Sequence, residues 1–137
     1  RKMSKSEPSD LSRINLTDDK DQIVNKIKKA KTDTLPLPFK DDDLENRPEV
    51  KNLFGIYSSL ISSDLKKTIK DFSGKNFSDF KEVLTEVLVE KIVPISTEIK
   101  KLLNDKSYLD KILSDGSKKA DEIASKKVKK IHEIIGF

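Results

Sequence analysis

The stretch Phe77 to Leu103, F-S-D-F-K-E-V-L-T-E-V-L-V-E-K-I-V-P-I-S-T-E-I-K-K-L-L, decides the fold class. Phe80, Val83, Leu84, Val87, Leu88 and Ile92 recur at steps of three and four. That spacing stacks them on one face of a helix of about 3.6 residues per turn and on neither face of a strand. Ser78 is the expected N-cap, because a hydroxyl can accept from the free amides of a first turn, with Phe77 stapled before it. Pro94 interrupts the pattern, which resumes at Ile95, Ile99, Leu102 and Leu103. A kink is expected there, since proline removes a backbone donor and crowds the preceding turn.

The same period extends outward in both directions. Upstream, Pro48 opens a helix over 48–61 with Val50, Leu53, Phe54, Tyr57 and Leu60 inward, proline losing no hydrogen bond at a first helical position. A shorter helix starts at Ser63 or Asp64, carries Leu65, Ile69 and Phe72, and stops at Ser73-Gly74. Tyr57, Phe72 and Phe80 are read as core residues. A helix of about 19–31, capped by Asp18 or Thr17, has Ile23, Ile27 and Ala30 on its apolar stripe and Lys26, Lys28, Lys29 and Lys31 on the other face. Downstream, Tyr108 to Leu113 form a short helix and Gly116 a stop. A last helix then runs from about Ser117 to Ile135, with Ala120, Ile123, Ala124, Val128, Ile131 and Ile135 inward, and ends at Gly136. One-sided helices joined by short loops need one another, so the expectation is an all-α, antiparallel helical bundle.

The segment 34–46 breaks this pattern. Pro36 and Pro38 disfavour helix, and Asp41, Asp42 and Asp43 read as a solvated charged turn, not a metal site, because successive residues point in different directions. The expected organisation is therefore 1–33, a connector at 34–46, and a helical domain at 47–137.

Composition excludes several function classes. The chain has 137 residues, no cysteine and one histidine, so neither a disulfide nor a thiolate metal site is possible and no protein-bound structural metal is expected. His132 reads as a helix-surface residue. No stretch approaches the roughly 20 apolar residues of a membrane span, and no apolar core follows the basic start as a signal peptide requires. Residues 1–90 carry 17 basic and 17 acidic side chains, and 91–137 carry 11 and 7, so the net charge of +4 resides in the last third. That bias permits a nucleic-acid partner without requiring one.

The chemistry is concentrated at the start. Lys2-Met3-Ser4-Lys5-Ser6 places two ammonium groups and two hydroxyls on a short loop. Lysine is a compact point charge with three donors, and serine adds neutral hydrogen bonds. Together they suit a polyphosphate whose charge grows as a bond to phosphorus breaks. Such a loop needs a rigid wall opposite it. The chain starts at Arg1 with nothing upstream to supply that wall, so a longer protein is expected.

K-M-S-K-S is also the second signature of class I aminoacyl-tRNA synthetases. After it come Glu7-Pro8, Ile14-x-Leu16, Ile23-x-x-Lys26-Ile27-x-x-Ala30-x-Thr32-Asp33, Arg47-Pro48-x-Val50-x-Asn52-Leu53, Ile56-Tyr57-Ser58, Gly116-x-x-Lys119-Ala120 and Gly136-Phe137. In that order the chain resembles, over its whole length, the C-terminal portion of the bacterial-type tryptophanyl branch of that family. The resemblance implies activation of L-tryptophan by ATP with Mg2+, release of pyrophosphate, and transfer to tRNA(Trp). The Rossmann-type catalytic domain would lie upstream, so this chain alone would be inactive. Lys5, assisted by Lys2, would contact the leaving pyrophosphate as catalytic residues. Met3, Ser4 and Ser6 would complete the ATP-binding loop. The helical domain would hold the anticodon arm, with Lys126, Lys127 and Lys130 near RNA phosphates. A homodimer through the catalytic domain and a bacterial cytoplasmic or organellar location are further implications. The competing readings are a stand-alone helical nucleic-acid-binding module, a structural adaptor with a Lys/Ser-rich tail, and, within the family, a tyrosyl enzyme.

Overall fold

Helix signals in this chain are local and strong, and in the computed structural model, which describes residues 9–136, helices are the regular secondary structure. Its helices are α1 (Lys20–Lys29), α2 (Pro48–Leu60), α3 (Leu65–Phe72), α4 (Phe77–Asn104) and α5 (Lys106–Ile135), with short 3-10 turns at Asp10–Ser12 and Asp41–Leu44. No strand occurs among the described residues. The fold is all-α, as the periodicity requires. These residues fall into two compact units, one extending to Thr97 and one beginning at Glu98.

The first unit packs α1, α2, α3 and most of α4 around one core. Ile23 and Ile27 enter from α1, Val50 and Phe54 from α2, Ile69 and Phe72 from α3, and Phe80, Leu84 and Leu88 from α4. Four aromatic rings form its centre. Phe80 meets Phe54 and Phe72 edge-on at centroid distances of 4.8 Å each, and Tyr57 meets Phe72 at 5.2 Å. Edge-to-face contacts of this kind set a positive ring rim against a negative face and add to area burial. Tyr57, Phe72 and Phe80 are thus core residues, Tyr57 being the half-buried member.

Caps set the helix boundaries, and two differ from the sequence reading. α1 is capped by Asp19 in a reciprocal box with Gln22, at 2.9 Å both ways, not by Asp18 or Thr17. Asp18 is buried and engaged elsewhere. α4 begins two residues earlier than a Ser78 cap allows, because the Asn76 side chain accepts from the amide of Asp79 at 3.0 Å. α2 ends in a Schellman turn: Ser63 N–H reaches Ser58 C=O at 2.9 Å, Ser62 N–H reaches Ser59 C=O at 3.3 Å, and Ser62 is left-handed at φ 52°. Between α2 and α3 the hydroxyls of Ser58 and Thr68 satisfy each other at 2.8 Å inside the core.

The proline-containing stretch is pinned to the core. Leu37 and Pro38 are fully buried. Leu37 N–H donates to Lys75 C=O at 2.9 Å and Gly74 N–H donates to Leu37 C=O at 3.2 Å. Gly74 sits at φ 68°, and a Cβ there would meet the Phe39 ring at 3.0 Å, so both backbone angle and space call for glycine. The aspartate run forms a single 3-10 turn whose Leu44 is buried. The Asp43 carboxylate accepts from the amides of Phe39 and Lys40.

α5 corrects the sequence reading in two ways. Gly116 does not stop a helix, for α5 runs continuously from Lys106 through it to Ile135. Glycine ends a helix only where it turns left-handed, and inside one it costs only about 1 kcal/mol relative to alanine. Among the described glycines only Gly74 and Gly136 have positive φ. Gly136 does close α5, at φ 81° with its amide on His132 C=O at 2.9 Å. Its apolar stripe is present, yet no residue of α5 is buried. Ala120, Ile123, Ala124, Val128, Ile131 and Ile135 are exposed, not inward. Periodicity identifies which residues share a face, not whether anything covers it. Within α4, helical structure continues on both sides of Pro94.

Candidate functional site

The signature residues Lys2, Met3, Ser4, Lys5 and Ser6 lie outside the described residues. Description of the chain begins three residues beyond them, at Ser9. Ser9 caps the turn Asp10–Ser12 by accepting from the amide of Leu11 at 3.4 Å. Asp10 then joins a polar network built on α1. The Lys26 ammonium donates to Asp10 at 2.5 Å and to Asp18 at 2.6 Å. Asn15 ties the carboxylates together: its amide N–H reaches Asp18 at 2.9 Å and its Nδ2 reaches Asp10 at 2.9 Å. Arg13 adds an ion pair to Asp10 at 3.0 Å.

Lys26 is therefore not on the solvated face of α1 where the sequence reading put it; its side chain is 5% exposed. Removing an ammonium from water is costly, and two charged acceptors offset that cost. Burial pushes the Lys26 pKa down, but the hydrogen bonds to Asp10 and Asp18, with their charges, outweigh it and the net shift is upward. The Asp10 carboxyl is held below the usual carboxylate range, chiefly by its hydrogen bond from Lys26 and then by that from Asn15. A sequence signal was available. Lys26 occupies the i+3 place of the stripe Ile23, Ile27, Ala30, where a lysine is inward and needs a partner.

A second clasp fixes the stretch after α1. The Arg47 guanidinium grips Asp33 with two bonds, Nε at 2.8 Å and Nη2 at 2.7 Å. It also donates to Pro36 C=O at 2.8 Å and lies over the Phe77 ring at 5.8 Å. The fork geometry of arginine matches a carboxylate in a way lysine cannot. The Asp33 pKa is lowered, first by this bond. Lys81 of α4 closes the carbonyl end of α1, donating to Ala30 C=O at 2.7 Å and Lys28 C=O at 3.3 Å. Burial lowers its pKa. Cations at a helix C-terminus meet its unpaired carbonyls and its negative dipole end. A groove beside it, lined by Val24, Ile27, Lys28, Lys81, Glu82 and Glu86, carries both signs of charge and shows no preference for an anion.

Lys126, Lys127 and Lys130 lie on one stretch of α5, all exposed. At about 100° per residue, Lys126 and Lys130 share a face and Lys127 stands beside them. Such an arc can follow a phosphate backbone without reading bases. Among the described residues no group of three or more His, Asp or Glu side chains converges as a metal site, and no helix is long and apolar enough to cross a membrane.

Comparison with known proteins gives this geometry its context. The model of class I tRNA synthetases (W and Y) matches residues 1–93. The tryptophan–tRNA ligase of Mesorhizobium japonicum is 48% identical over all 137 residues, that of Agrobacterium fabrum 47%, and that of Rickettsia felis 49%. The chain spans 39% of the length of the first two relatives and 41% of the third. A family match over most of the chain, with identity this high from end to end, settles the affiliation: the chain belongs to the class I tRNA synthetases of the tryptophan and tyrosine group.

Proposed function

We propose that the chain is the C-terminal part of a tryptophan–tRNA ligase, carrying the K-M-S-K-S loop and the helical part that receives the tRNA. The observation that carries this reading is the unbroken similarity of all 137 residues to tryptophan–tRNA ligases. The reaction is adenylation of L-tryptophan by ATP with Mg2+, followed by transfer to tRNA(Trp). Lys5 contacts the departing pyrophosphate, where its charge counts most as negative charge builds in the transition state. Lys2 supports it on the same phosphates, and Met3, Ser4 and Ser6 shape the loop around the nucleotide. The exposed arc Lys126, Lys127, Lys130 meets the phosphate backbone of the anticodon arm. The amino-acid pocket and the partner contacts of a homodimer belong to a Rossmann-type domain outside these 137 residues, so the chain alone is inactive. The setting is the bacterial cytoplasm or an organelle.

Amino-acid-dependent ATP–pyrophosphate exchange in the full-length protein tests this. Exchange should require L-tryptophan and not L-tyrosine, and Lys5→Ala should lower its rate roughly 10²–10³-fold. Exchange stimulated by tyrosine would transfer the chain to the tyrosyl branch, and an unchanged Lys5→Ala rate would remove the loop assignment.

A further inference from the structure

We propose that Asp10, clamped by Lys26, is a positioning residue for the K-M-S-K-S segment that precedes it closely in the sequence. The proposal rests on the reading of Lys5 as the pyrophosphate contact. Its basis is an asymmetry in the network. One buried ammonium needs one carboxylate for charge balance, and Asp18, with a side chain 3% exposed and 2.6 Å away, already supplies it. Asp10 is a second partner with a side chain 46% exposed. The Lys26 ammonium does not require it for neutrality, yet it receives four polar contacts: Lys26 at 2.5 Å, Asn15 Nδ2 at 2.9 and 3.1 Å, and Arg13 at 3.0 Å.

What those contacts hold is position. Asp10 stands five residues after Lys5 and sixteen before Lys26. Lys26 projects from a capped helix whose neighbours Ile23 and Ile27 are in the core. The chain just after the signature is thus bonded directly to a rigid element. A loop that must place an ammonium against a reacting phosphate gains rate from such support, because errors of about 1 Å remote from the chemistry cost up to about a hundredfold.

The test compares Asp10→Ala, Asp18→Ala, Lys26→Arg and Lys5→Ala in the full-length protein, by tryptophan-dependent ATP–pyrophosphate exchange and by thermal unfolding. Asp10→Ala is expected to lower the kcat of exchange about tenfold or more, with the KM for tryptophan and the unfolding temperature close to the parent's. Asp18→Ala is expected to lower the unfolding temperature, and Lys26→Arg to keep most of the exchange activity. An Asp10→Ala protein that exchanges at the parental rate while Lys5→Ala is impaired overturns the positioning role alone. Loss of stability in Asp10→Ala as large as in Asp18→Ala, with kcat restored on cooling, also overturns it by reducing Asp10 to a structural residue. A Lys5→Ala protein with parental exchange overturns the underlying reading instead.

Discussion

Replacing Phe80 by alanine tests the architecture at its most concentrated point. Phe80 is fully buried and touches rings from two other helices, Phe54 and Tyr57 of α2 and Phe72 of α3. Truncating a buried phenylalanine costs about 3–5 kcal/mol, part transfer energy and part cavity. The low end requires the surroundings to collapse. Here the three facing rings are anchored on two separate helices and cannot all move in, which puts the expected loss at about 4 kcal/mol. The edge-to-face contacts, worth about 0.5–1.5 kcal/mol each in isolation, are contained in that figure and are not additional to it. With a urea slope of about 2 kcal/mol per molar, the unfolding midpoint falls by about 2 M. Urea titration of the 137-residue chain, monitored by far-UV circular dichroism and tyrosine fluorescence, reads this directly. Val83→Ala, half-buried on the same helix, serves as comparator with an expected loss of about 1 kcal/mol. A Phe80→Ala loss below about 1.5 kcal/mol would refute the reasoning, because an exposed ring poised for base stacking would behave that way and a core hub would not.

Three further outcomes rest on named contacts. Ser58→Ala should cost about 1–2 kcal/mol by leaving the Thr68 hydroxyl short of its partner, whereas Ser58→Ala with Thr68→Val should recover much of it, as a double-mutant cycle would show. Arg47→Lys should destabilise by about 1–2 kcal/mol despite the retained charge, since one ammonium cannot replace the two-bond grip on Asp33 and the bond to Pro36; the denaturation midpoint reports it. The pH dependence should have an acid limb and an alkaline limb. Asp33 has a folded pKa below the ordinary 3.8, so its contribution is in place above that value and is lost as pH falls through the lowered one. Lys26 is raised above 10.5, so its contribution holds below that value and is lost as pH climbs through the raised one. Asp33→Asn should flatten the acid limb of the midpoint–pH curve, and an unaltered limb would remove Asp33 from the account.

The primary structure by itself determined the helical class and most helix positions, because both depend on local spacing: residues three and four apart share a face wherever the chain lies; the family resemblance rested instead on the K-M-S-K-S string and the ordered motifs after it. It also singled out Lys5 and Lys2, which stand in a contiguous string. It could not determine which partners an inward polar residue meets. Lys26 read as surface because its partners Asp10 and Asp18 lie sixteen and eight residues away, and only folding brings them to one ammonium. Leu37 and Pro38 sit in a stretch that proline makes extended, yet the pairing of Leu37 with Gly74 and Lys75 that pins this stretch to the core is a long-range event. Gly116 shows the converse limit, a residue able to end a helix whose backbone simply remained helical. Local periodicity specifies faces, and side-chain chemistry marks where a helix can break. Burial depends on what another segment brings against a face, and that is decided only in three dimensions.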